Sequence, residues 1–158
     1  MRRSREQTSM ARTFSIPSSH LSRFVGTAFL NAGRIVIVSP WVSDVTITFP
    51  ETEGDLDREM SFSDAVREFD VDVTVIVDPE QRQHNWVRRR ALLPRIEEFV
   101  TIRNVENLHA KAIVTDTVLY LGSANMTYRG LNVNIELCEI RENGYQNIDK
   151  FLTDRLGI

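Results

Sequence analysis

The sequence predicts an α/β domain: a mixed β-sheet flanked by helices. Two runs, RIVIVSP at residues 34–40 and VDVTVIVDP at 71–79, are almost continuously apolar, the mark of strands buried on both faces. A third segment, LHAKAIVTD followed by TVLYLGS over residues 108–123, reads as two strands joined by a tight turn at Asp116-Thr117, which adds an antiparallel component. Helical patterns lie between these strands, and that alternation argues for layers around a shared sheet.

Taken in order, residues 18–34 read as a helix, with Ser18 or Ser19 as cap, Leu21, Phe24, Val25, Ala28 and Phe29 as the apolar face, and Gly33 as the stop. The acidic stretch FPETEGDLDREM, 49–60, reads as an exposed loop or short helix. SFSDAVREF, 61–69, is helical with Ser61 or Ser63 as cap. Residues 81–99 read as helical with Trp86, Leu92, Leu93, Ile96 and Phe99 inward, and with a kink or restart at Pro94. FVTIRNV, 99–105, pairs as a strand, and NVNIELCEI, 132–140, alternates as another. YQNIDKFLTDRL, 145–156, closes as a helix with Ile148, Phe151, Leu152 and Leu156 on one face.

A length of 158 residues suits one domain, expected over 18–158, after a basic, polar stretch at 1–17 read as a flexible tail. No apolar run approaches the roughly 20 residues of a membrane span, and the first residues lack a signal-type apolar stretch. The expected setting is cytoplasmic. Cys138 is the lone cysteine, so no internal disulfide is available, and its apolar surroundings read as core. A net charge of −3 gives no global field that would gather nucleic acid. Basic residues are divided unevenly, 17 Arg against two Lys, which makes the position of Lys111 informative.

Residues two apart on an extended chain share a side, so His109 and Lys111 project together from one strand. Ser123 and Asn125 do the same at the end of its hairpin partner. One small patch then holds a nucleophile or base, a cation and two hydrogen-bond donors, as a phosphate oxyanion requires. Glu136 lies on an apolar strand, on the face of Asn134 and opposite Val133, Ile135 and Leu137. His109 is its natural partner, whose tautomer and basicity such a carboxylate would set.

With these residues the chain resembles the phospholipase D superfamily, on its single-motif, nuclease-like branch. His109, Lys111, Asp116, Gly122, Ser123 and Asn125 follow that signature, with Glu136 downstream; the gap between Asp116 and Gly122 is five residues, one shorter than usual. SPWVS after the first strand also looks like the opening of these domains. The resemblance implies a phospholipase D-like half domain and a metal-independent phosphodiesterase without cofactor. His109 would attack phosphorus and form a phosphohistidine, Lys111 and Asn125 would bind the non-bridging oxygens, and Ser123 would support them. Glu136 would orient a histidine, while Asp116 and Gly122 would be structural. A homodimer would supply a second His109, since one motif lacks a general acid.

The substrate expected is DNA or RNA. Arg88, Arg89 and Arg90, with Arg95, form a basic run that can track a phosphate backbone or simply be a solvated helix face. Trp41 can stack a base or pack, and Trp86 reads as core. His20 and His84 lack neighbouring ligands at metal spacing, so no metal site is expected. Two alternatives remain: a phosphodiesterase acting on phospholipid, and a non-catalytic subunit working with partner proteins, as in a DNA-defence system.

Overall fold

The computed structural model of the chain describes residues 14–50, 57–145 and 147–158. Among the described residues nine strands are formed: β1 (Phe14–Ser15), β2 (Arg34–Val38), β3 (Thr46–Phe49), β4 (Arg58–Ser61), β5 (Asp72–Val77), β6 (Thr101–Asn104), β7 (Ala112–Val114), β8 (Val118–Gly122) and β9 (Cys138–Glu142). Seven of them make one sheet in the order β1-β9-β8-β7-β2-β5-β6, while β3 and β4 pair separately. The β2-β5-β6 part is parallel, and β2-β7-β8-β9-β1 is antiparallel throughout. The expected mixed sheet is therefore present.

Alternation along the central strands splits their side chains between two cores. Ile35 and Ile37 of β2, with Val73, Val75 and Val77 of β5, join the larger one, under α1 (Leu21–Asn31) and α2 (Phe62–Glu68). Val36, Val38, Ile76 and Leu119 join the other, under α5 (Ile148–Phe151), whose helical path continues to Leu156. Both faces of β2 are thus covered, which is why its sequence shows no polar alternation.

Several local expectations need correction. Of the tail expected at 1–17, residues 1–13 lie outside the described residues. Phe14–Ser15, however, pair with β9, and the Ile16 N–H donates to the Cys138 carbonyl at 3.0 Å, so the sheet begins ahead of residue 18. Neither Ser18 nor Ser19 caps α1: a 3-10 turn at Ser18–His20 precedes the helix, and the Ser18 hydroxyl reaches the Asn134 carbonyl instead. Ser61 does cap α2, accepting from the Asp64 N–H.

Of the loop or short helix expected at 49–60, Phe49 belongs to β3 and Arg58, Glu59 and Met60 to β4, which pair antiparallel, while residues 51–56 lie outside the described residues. The helix expected over 81–99 dissolves into a 3-10 turn, one π turn at Gln83–Val87, a bend, and α3 (Leu93–Ile96). Phe99, expected inward, is exposed under the Arg67 guanidinium.

The strand expected at 132–140 forms only from Cys138 onward. Val133, Ile135 and Leu137 face outward; Ile135 is fully exposed and Leu137 is 80% exposed.

Candidate functional site

The β7–β8 ladder fixes the motif. Ala112 pairs with Leu121, and one step further the Gly122 N–H donates to the Lys111 carbonyl at 3.4 Å. Lys111 is therefore set opposite the Gly122-Ser123 end of β8. His109 lies two residues before it, just ahead of the strand, where the chain arrives from β6 through Asn107. Asn107 has φ of 59°, a left-handed conformation that Asn tolerates better than most side chains. His109 is exposed and Lys111 half-buried, and neither side chain has a hydrogen bond or ion pair among the described residues.

The loop after β8 is held from beneath. Tyr120 is buried; its hydroxyl accepts from the Ala124 N–H at 2.9 Å and donates to the Ala124 carbonyl at 3.2 Å. Burial, with Cys138 beside it, pushes that phenol above its ordinary pKa range, so it stays a neutral donor. Burial also raises the Cys138 thiol. Gly122 is required sterically, because a Cβ there would lie 2.1 Å from the Leu137 carbonyl oxygen. Asn125 meets Ser39: the amide Oδ1 is 3.4 Å from the Ser39 hydroxyl, which accepts from the Met126 N–H and donates to the Trp41 carbonyl at 2.7 Å. Ser39 thereby ties the end of β2 to the motif loop.

Ser123 has a backbone task as well. Its N–H donates to the Leu137 carbonyl and its hydroxyl accepts from the Leu137 N–H, both at 2.9 Å, which pins Leu137 beside the motif. Glu136, the residue before it, is half-buried. The expected contact between Glu136 and His109 is absent, since no hydrogen bond or ion pair joins them among the described residues. The cause is the lost strand: without a ladder over 133–137, the carboxylate has no fixed register against His109. Asp116 sits at the hairpin turn, the opposite end of β7 from His109, and accepts from the Ile148 N–H at 3.1 Å.

Beside Asn125 opens a cleft of about 740 Å³ lined by Arg88, Arg89, Arg90 and Arg129 together with Trp41 and Tyr128. Its walls are loops and a short helix, α4 (Tyr128–Asn132), laced to each other. Asn85, 1% exposed, accepts from the Val42 N–H at 2.9 Å and donates to the Pro40 carbonyl at 3.0 Å, while the Asp44 N–H donates to the Arg90 carbonyl. Arg95, expected among the phosphate-tracking arginines, donates to the carbonyls of Ala91 and Arg89 and holds the arginine turn instead. The Arg90 guanidinium lies 5.0 Å from the Tyr128 ring centre, a cation–π distance.

Trp41 is 41% exposed, with its ring centre 5.0 Å from that of His84. Both His84 nitrogens are buried without a hydrogen-bond partner among the described residues. Burial, and then the Arg88 charge, lower its pKa below 6.5 and keep the imidazole neutral. Sequence reasoning missed Ser39, Asn85, Tyr120, Tyr128 and Arg129. Only the Ser in SPWVS carried a signal, as the polar residue ending a buried strand.

Among the described residues no group of three or more His, Cys, Asp or Glu is placed to hold a metal ion, and no helix is long and apolar enough to cross a membrane.

The mixed sheet thus brings a histidine, a lysine, a serine and an asparagine to one end of an antiparallel hairpin within an α/β architecture. A family model described as "Cardiolipin synthase, PLD-like domain" matches residues 55–152, more than half of the chain, and the protein belongs to this phospholipase D-like family. No curated protein matches it in sequence. Among solved structures it is similar to NucT from Helicobacter pylori (TM-score 0.58, 13% identity, 92% of this chain and 90% of that one). It is also similar to Nuc, a phospholipase D family member from Salmonella typhimurium (0.58, 18%, 92% and 88%). A third likeness is to phosphatidylserine synthase from Haemophilus influenzae (0.62, 13%), where 91% of this chain covers only 37% of the other. The chain thus matches the two shorter relatives nearly end to end, which shows the fold.

Proposed function

We propose that the protein is a phosphodiesterase that cleaves nucleic acid through a covalent phosphohistidine on His109. The observation that carries this reading is the His109–Lys111 pair. The β7–β8 ladder sets it against Gly122-Ser123, and among the described residues no protein group occupies either side chain and the cleft onto which Asn125 opens is lined by four arginines and no carboxylate.

In the first step the neutral imidazole of His109 attacks phosphorus, a P–N bond forms and the P–O bond to the leaving strand breaks. Lys111 and Asn125 stabilise the charge on the non-bridging oxygens, in a region where Lys111 is already half removed from water. The leaving oxygen takes a proton from an imidazolium. That imidazole then deprotonates a water, whose oxygen attacks phosphorus and releases His109.

A second copy of the chain supplies this general acid and base. Support comes from the segment beside the motif: Val133, Ile135 and Leu137 present apolar side chains to solvent, with Ile135 fully exposed. Such a surface is accounted for by burial against a partner. Glu136 lies between them, and the partner subunit's His109 is the imidazole it would orient. A buried, unpaired Cys138 accords with a cytoplasmic setting.

The test is cleavage of labelled oligonucleotides in excess EDTA by wild type, by His109→Asn, and by co-expressed random mixtures of the two. Cleavage is expected to survive chelation and to vanish in His109→Asn. In mixtures it should fall as the square of the wild-type fraction. A linear fall would place the general acid within one chain, and turnover by His109→Asn would remove the nucleophile assignment.

A further inference from the structure

The arginine-lined cleft has features that phosphate binding alone does not explain. A duplex or a free phosphate needs only cations, yet two of the cleft's walls are the aromatic side chains of Trp41 and Tyr128, 41% and 51% exposed. Aromatic side chains left partly in water beside cations, Tyr128 with Arg90 over one face, match an unpaired base stacked on a ring while its phosphates lie on guanidinium groups. In a duplex the bases already stack on each other and offer no free face.

The charge distribution points the same way. The whole chain carries −3, but among the described residues the cleft is lined by four arginines and no carboxylate. Positive charge has been concentrated where Asn125 opens, and the hydrogen bonds of Asn85 and Arg95 are spent on holding the two loops that present it. Trp41 is also backed by the neutral His84 ring, so its face is set at a fixed place and carries no competing charge.

We infer that this cleft is the strand-binding subsite for single-stranded nucleic acid: Trp41 and Tyr128 stack unpaired bases, and Arg88, Arg89 and Arg129 hold the backbone phosphates. The inference rests on the phosphodiesterase reading for its place beside the scissile bond, and it sets strand selectivity apart from chemistry. An anionic lipid headgroup such as phosphatidylglycerol would share the phosphate contacts but has no ring or cation to place on the aromatic faces.

The experiment measures binding of the full-length protein to a fluorescein-labelled 12-mer, single-stranded or as a blunt duplex. Phosphatidylglycerol vesicles serve as competitor, and hydrolysis of bis(p-nitrophenyl) phosphate is followed in parallel. Wild type is expected to bind the single strand about tenfold more tightly than the duplex, given the affinity that stacking adds. Trp41→Ala should lose about five- to a hundredfold for the single strand and nothing for the duplex, while Trp41→Phe, which keeps a stacking face, recovers most of the loss. Unchanged thermal melting of Trp41→Ala, whose side chain is partly exposed, secures the comparison.

Equal affinity for both strand forms, no effect of Trp41→Ala, or displacement of the oligonucleotide by vesicles would each overturn the inference. If the small diester is hydrolysed without strand preference, the cleft inference fails alone. If strand preference is present and the small diester is untouched, the cleft inference is supported and the catalytic reading fails.

Discussion

The motif end of the hairpin and the arginine cleft lie side by side, yet they are built by opposite means. At the motif, His109 and Lys111 have no side-chain partners among the described residues, and their placement comes from a backbone ladder ending at the Lys111–Gly122 hydrogen bond. In the cleft, placement comes from side chains: Asn85 bridges two loops, Arg95 grips a turn, Arg90 lies over Tyr128 and His84 backs Trp41. A regular ladder leaves the reactive groups unencumbered for phosphate. A loop-built wall spends its polar groups on itself and gains a shape, which suits recognition better than chemistry.

If the division is right, substitutions at the motif should change turnover and leave binding nearly intact. The largest effect is expected for Lys111→Ala. Losing one positioned charge in the transition state should cost about a thousandfold in turnover, with oligonucleotide affinity changed far less. A loss confined to affinity would erase the distinction between the two regions.

Glu136→Gln should lower turnover about ten- to a hundredfold without lowering the melting temperature, as expected of a group that orients another catalytic residue. An amide keeps the hydrogen bond but cannot stabilise an imidazolium. Full activity in this variant would leave Glu136 with a structural role only.

Gly122→Ala probes the backbone itself. The added Cβ would meet the Leu137 carbonyl oxygen at 2.1 Å and Tyr120 Oη at 2.7 Å, so β8 must move away from the 137–138 segment. Denaturant unfolding should show a loss of about 1–3 kcal/mol, typical of forced overpacking. A wild-type midpoint would mean that this approach is looser than the geometry shows.

The smallest effect belongs to the cleft. His84 has a folded pKa below the 6.5 of the unfolded chain, through burial and then Arg88. The unfolded state therefore binds the proton first as pH falls. The contribution to stability is complete above pH 6.5 and declines below it, through the folded pKa. Melting curves across that range should show the decline, and His84→Gln should flatten it. An identical pH slope in the variant would show that other groups set it.

The same contrast governs what was legible in the sequence. Strands β2 and β5 were readable because both of their faces are buried, so each appears as a short, continuous apolar run closed by a proline. The motif was readable because ladder spacing is regular: His109-x-Lys111 and Ser123-x-Asn125 fall at ladder ends whose register is set by pairing. The cleft was only half readable. Arg88, Arg89, Arg90 and Trp41 stood out by composition, but Tyr128 and Arg129 reach the same cleft from the first turn of α4, a helix too short for periodicity to reveal.

Two failures start from apolar residues at regular spacing, a pattern that fixes neither an element's length nor what covers it. Leu92, Leu93 and Ile96 suggested one long helix through 81–99, whereas the buried Asn85 holds residues 83–87 as a separate turn. Val133, Ile135 and Leu137 alternate as a strand would, yet they face solvent next to the motif. Their pattern fits a surface awaiting a second chain, which a single sequence cannot distinguish from a buried edge. The β3–β4 pair was missed because its second strand, Arg58–Ser61, is short and polar.

The most direct test of the nucleophile is to capture the intermediate. An oligonucleotide labelled at an internal phosphate is mixed with excess protein and quenched in alkaline denaturant, and the protein is digested and mapped. Label is expected on the peptide carrying His109, stable in base, released by acid, and missing from His109→Asn. Sustained turnover with no label at His109 at any quench time would contradict a phosphohistidine at that residue.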